Sequence, residues 1–244
     1  MSASRLFGTF SRLGSIVSMK RLGLFVLRLA AGLLLAWVGV ALVQSLVEVR
    51  LSFSDREVML WCFGGSAVGA LVFMRFRLVP VYVFGHELTH WLVAKAFRRR
   101  TSRFTVRFSS GSVRVERPNI WIVLGPYILP LYMLLFLGVY QAVRVCVSLP
   151  REVQLGCAAA IGALYAYHLV LTVVALLANQ PDLKFNGPCF SLMFIVFFNL
   201  LFLYLGLTLA GGCPREGLLL VWDTLKAHAQ AVRRLIWWNS LVLD

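Results

Sequence analysis

Residues 81–100 read VYVFGHELTHWLVAKAFRRR, and three of them can do chemistry together. His86 and His90 are four positions apart, so on a helix they share one face and can hold one metal ion between them. Glu87, one position on from His86, is offset from that pair and suited to act on a water held by the ion. Two neutral imidazoles suit Zn²⁺, which in catalytic sites takes three protein ligands and leaves the fourth position to water. The ion lowers the pKa of that water to about 7, and the glutamate takes its proton as it attacks a carbonyl.

HExxH is a short pattern, and its weight comes from where it lies. The chain has only 4 histidines and 10 acidic residues, and an acidic side chain near the centre of a bilayer costs about 3 kcal/mol. That three of these fourteen, His86, Glu87 and His90, fall together in one apolar segment argues for a metal site over a buried polar network without metal. The third ligand has two candidates. Asp182 sits in ALLANQPDLKFNG, where an apolar run stops at Pro181, and His168 lies in the middle of that same run, in ALYAYHLVLT. His228, in the tail, is expected to be solvated.

The elements that must position these residues are membrane helices. The chain of 244 residues is 60% hydrophobic and 14% charged, against the roughly one quarter charged of soluble domains. Its apolar residues fall in blocks of about 20, the length a helix needs to cross a bilayer. The expected runs are 22–47, 58–76, 80–97, 119–140, 156–178 and 189–210, about six membrane helices in one integral domain. The formal charge of +14 collects at the ends of the apolar blocks, which fits lipid head groups and not nucleic acid. Cys62, Cys146, Cys157, Cys189 and Cys213 form no CxxC pair and read as small core residues.

Three regions depart from that pattern. Residues 1–21 carry Arg5, Arg12, Lys20 and Arg21 with no acid, a basic leader at the interface. In RFTVRFSSGSVRVERP, Phe104, Val106 and Phe108 alternate with polar residues, SSGS supplies a turn, and Val113 and Val115 alternate again, which predicts a β-hairpin with one apolar face. From Pro214 apolar and charged residues mix at helical spacing, with Trp222, Trp237 and Trp238, which predicts an amphipathic helix on the interface. The leader and the segment 98–117, with seven arginines against Glu116, both favour the cytoplasmic face. Three full spans between them would put them on opposite faces.

A membrane-embedded HELTH helix, then a hairpin, then a helix opening with LGPY, then a distal asparagine, proline and aspartate resembles the site-2 protease family of intramembrane zinc metallopeptidases. The resemblance covers residues 80–190; the N-terminal part (1–79) and the last helix and tail (191–244) lie outside it. It implies zinc held by His86, His90 and Asp182, Glu87 activating the water, and a membrane-anchored protein substrate cut in or near the bilayer. The family pattern is asparagine, two residues, proline, three residues and Leu-Asp-Gly. Here Asn179 is followed after one residue by Pro181, then directly by Asp182, with Gly187 five residues on, so the chain looks like a divergent member.

The resemblance also gives Asn179 a role in orienting substrate. The hairpin strands near Phe104, Val106, Val113 and Val115 are expected either to bind an unwound substrate segment by strand addition or to plug the groove. The function implied is a zinc-dependent intramembrane endopeptidase in a bacterial-type cell membrane. The alternative is a catalytically inactive metallopeptidase-like protein that serves a membrane partner by binding or regulation.

Overall fold

The computed structural model describes residues 3–52, 56–108, 110–178 and 181–242. Among the described residues it is mostly helical, with one small hairpin. The helices are α1 (Ala3–Ser52), α2 (Arg56–Arg75), α3 (Val79–Ala96), α4 (Ile120–Ile128), α5 (Leu131–Cys146), α6 (Arg151–Leu177), α7 (Pro188–Ala210) and α8 (Pro214–Val242). Strands β1 (Thr105–Val106) and β2 (Gly111–Ser112) pair antiparallel, Thr105 opposite Ser112.

Among the described residues four helices are long and apolar enough to cross a membrane: Arg21–Glu48 within α1, then α2, α6 and α7. The pair α4 and α5, bent by 73° at their junction, makes a fifth if taken as one span. The helix with the HExxH pattern is not among them. The outer surface agrees with a bilayer: Leu22, Leu33, Leu60, Leu71 and Val145 are all exposed, a load of apolar area that water would oppose at about 25 cal/mol per Å². The expected leader and first span form one continuous helix, since no proline interrupts residues 3–52.

Two helix pairs set the architecture, and both run parallel. Along α2 and α6 the matched positions are Glu57 with Arg151, Gly65 with Ala159, Gly69 with Ala163 and Phe73 with Tyr167. Small residues let the backbones touch. A side chain at Gly65 would strike the Ala159 carbonyl, and one at Gly162 the Cys62 carbonyl, the close contact on which helices associate when lipid removes the hydrophobic drive. Ser66 adds a hydroxyl bonded to the Gly162 carbonyl at 3.0 Å. Along α1 and α7 the matches are Arg28 with Asn186, Gly32 with Met193 and Gly39 with Leu200.

This parallel order decides which ends lie together. The N-terminal half of α1, the C-terminal ends of α2 and α6, and the 180s loop all lie at one end of the bundle. For α2 and α6 to point the same way, the chain between them must cross an odd number of times. The start of α3 explains how. Leu78 takes a left-handed conformation (φ 42°), and its carbonyl accepts the Tyr167 hydroxyl at 3.2 Å, so α3 begins well inside the bundle, level with the later turns of α6. The antiparallel return is made by α5, from Tyr132 beside Tyr167.

The tail helix α8 docks on α1 instead of lying free. Gly217, Val221, Thr224 and His228 form its inward stripe; Thr224 meets Ser45 at 3.2 Å and His228 bonds to Gln44. His228 stays partly exposed to solvent while it bonds to Gln44 at the edge of the α1–α8 contact, and Leu218, Leu219 and Trp222 face outward.

Candidate metal centre

α3 carries His86, Glu87 and His90, and Pro80 in its first turn suits a helix start because the missing N–H has no partner to lose there. Asp182 comes from a 3₁₀ turn, Pro181–Lys184, directly after α6. Ligand atoms of His86, His90 and Asp182 lie within 4.8 Å of one another. His168 is outside this group. It shares with His86 the lining of a small cavity of about 30 Å³, and its buried Nε2 has no hydrogen-bond partner. Asn179 lies outside the described residues.

The hydrogen bonds around the three candidates leave their metal-facing atoms open. His90 Nδ1 lies 2.7 Å from the Ile122 carbonyl; a carbonyl only accepts, so Nδ1 carries the proton and Nε2 offers its lone pair. His86 Nδ1 lies 3.3 Å from the Tyr82 hydroxyl, a partner that can accept, which again leaves Nε2 open. The Tyr127 hydroxyl donates to Asp182 Oδ2 at 2.9 Å, so one carboxylate oxygen is held and the other is spare. Metal-binding histidines and carboxylates are usually oriented in this way from behind. Two imidazoles and a carboxylate are also the donor set that zinc takes in hydrolytic sites, so the residues present fit that ion.

α4 supplies most of this support, through the residues quoted above as LGPY. Gly125 faces Thr89 and Val93, and a side chain there would press on Val93 at 3.3 Å, so its absence lets α4 close on α3. Tyr127, fully buried, reaches Asp182 with its hydroxyl and packs edge-on against the His86 ring, 5.3 Å between centroids. At the end of α4 the Tyr127 carbonyl accepts Asn199 Nδ2 at 2.9 Å.

Tyr127, Asn199 and Tyr82 were not singled out by the sequence reading. Asn199 carried a signal, an amide within the apolar run FFNLLF, since polar residues inside membrane helices are seldom idle.

The hairpin stands over Glu87. A side chain at Gly111 would collide with the Glu87 side chain. Phe104 packs edge-on against Phe84 of α3, and Val106, Val113 and Val115 are partly covered as the alternation requires. Phe108 breaks it, 80% exposed, because it lies in the turn beyond the paired strands. Next to the hairpin is a cavity of about 320 Å³ lined by Tyr82, His86, Glu87, Ser110, Gly111 and Leu171. Two larger grooves, about 640 Å³ between α2 and α6 and about 460 Å³ between α1 and α7, are lined by apolar side chains, glycines and Gln44, with no group able to activate water.

Comparison with family models, curated proteins and solved structures finds no match to this chain.

Proposed function

We propose that the protein is a zinc-dependent intramembrane endopeptidase of the site-2 protease type, acting on membrane-anchored protein substrates. The observation that carries this reading is the approach of His86, His90 and Asp182 to within 4.8 Å of one another, with Glu87 on the same helix opening to the 320 Å³ cavity. Zinc held by these three residues would act as a Lewis acid and bring the pKa of a water toward about 7. Glu87 takes the proton from the attacking water and passes it to the leaving amide nitrogen. Gly111 packs against the Glu87 side chain and limits where its carboxylate can turn. The hairpin borders the cavity at Ser110 and Gly111, where an unwound substrate segment can lie extended.

In this reading the protein is a multi-pass membrane protein in which α3 enters the bilayer from one face without crossing it. That topology replaces six full spans and removes the conflict between the two basic segments. The hairpin lines one cavity with Ala178, just beyond α6, so it lies at the same end of the bundle as the N-terminal half of α1. Leader and arginine-rich segment then both meet the cytoplasmic side.

A second reading, a metal-binding but non-proteolytic partner of another membrane protein, is favoured by the same contact of Gly111 on Glu87 if the hairpin closes the site for good. The replacement Glu87→Gln separates the two. In the endopeptidase it abolishes cleavage of a membrane-anchored substrate while the chain folds and keeps its zinc. Equal cleavage by the two proteins excludes Glu87 as the base, and no cleavage by the native chain over a panel of anchored substrates, with zinc bound, favours the partner.

A further inference from the structure

We infer that Pro126 is a positioning residue for the metal: by lacking an N–H, it frees the Ile122 carbonyl to orient His90. The inference rests on the zinc reading of the site and adds a residue to it.

In an α-helix the carbonyl of residue 122 accepts from the N–H of residue 126. Here residue 126 is proline, inside α4, and has no hydrogen to donate. Proline in a helix interior costs about 3 kcal/mol, and a buried carbonyl left without a partner is also unfavourable. Ile122 is 1% exposed, so water does not compensate. The partner comes from the neighbouring helix: His90 Nδ1 at 2.7 Å, at the short end of the N–H···O range. The bond fixes the Nδ1–H tautomer and points Nε2 at the position shared with His86 and Asp182.

Pro130 offers an internal control. It removes the N–H that would otherwise meet the Pro126 carbonyl and opens the break between α4 and α5, yet no ligand bonds to the Pro126 carbonyl among the described residues.

Pro126→Ala returns an N–H that competes for the Ile122 carbonyl. The test titrates purified full-length chain, stripped of metal, with Zn²⁺ against a chelator of known affinity. Pro126→Ala is expected to bind zinc 10- to 100-fold more weakly, roughly the loss seen when the partner behind a ligand is removed, with metal-free thermal stability unchanged or higher. Pro130→Ala is expected to stay within about twofold of the native affinity, since it touches no ligand.

Native affinity in Pro126→Ala overturns the inference. So does an equal loss in Pro130→Ala, which would assign the effect to the helix bend. A native chain that takes up no zinc defeats the zinc reading itself and this inference with it. A measurement on the unmutated chain covers the case in which the variant does not fold: the nitrogen shifts of His90 in the metal-free protein must show a proton on Nδ1, and one on Nε2 overturns the inference.

Discussion

The Tyr127 hydroxyl donates to Asp182 Oδ2 at 2.9 Å across 55 positions of sequence. It is the contact that joins the 3₁₀ turn after α6 to the helix that also supports His90. The third member of the ligand group is thus held from the same element as the second, so α4 sets the spacing of both. Removing the hydroxyl with Tyr127→Phe keeps the ring against His86 and frees the carboxylate to turn. Zinc affinity is expected to fall roughly tenfold, about 1.4 kcal/mol, with the fold intact. Zinc titration of the purified variant checks it, and an unchanged affinity would show that Asp182 needs no such support.

Asp182 and His168 were the two candidates for third ligand, and paired replacements distinguish them. Asp182→Ala is expected to lower the zinc content of the purified chain well below one per chain. His168→Leu is expected to keep the native zinc content. Its thermal midpoint, read alongside, checks that the variant folds. Zinc lost with His168→Leu and kept with Asp182→Ala would reverse the assignment.

The histidine pair on α3 was legible in the sequence because four-residue spacing on a helix is a local property, and so was the hairpin, whose alternation survives from Phe104 to Val106 and from Val113 to Val115. Asp182 was reachable only as a candidate, since its approach to His86 depends on where α6 ends. The supporting bonds were not legible at all. That Ile122 offers its carbonyl to His90, or that Asn199 caps Tyr127, follows from the tertiary meeting of α3, α4 and α7, which no periodicity encodes. The number of spans, about six by composition, is four or five by helix length and apolarity among the described residues. Composition reads 80–97 as one more crossing; the parallel course of α2 and α6 requires an odd number of crossings between them, which α5 alone satisfies in the proposed topology.

Gly111 is where the hairpin comes closest to the proposed base. Gly111→Val places a branched side chain against the Glu87 side chain and must lift β2 away or push the carboxylate aside. The expected result is a cleavage rate at least about tenfold lower, since a catalytic group moved from its working position loses rate steeply, with zinc affinity unchanged because no ligand is touched. A faster rate would mean that the hairpin closes the site and that lifting it opens the cavity. Cleavage of an anchored substrate in detergent, measured beside zinc content, reads both.

The arrangement of α1, α3 and the hairpin makes the last prediction a topological one. Arg28 of α1 reaches Asn186 near the proposed centre, and Ser110 and Gly111 line a cavity with Ala178 at the end of α6, so the N-terminal half of α1 and the hairpin share one end of the bundle. If α3 crossed the membrane completely, the hairpin would lie opposite the leader, and seven arginines would stand on the face from which basic loops are excluded. Epitopes placed before Arg5 and in the hairpin turn should therefore be digested together in sealed vesicles of one orientation, and both should be protected in vesicles of the other. Digestion of one epitope with protection of the other in the same vesicles would restore α3 as a full span and return the charge distribution to an exception from the positive-inside rule.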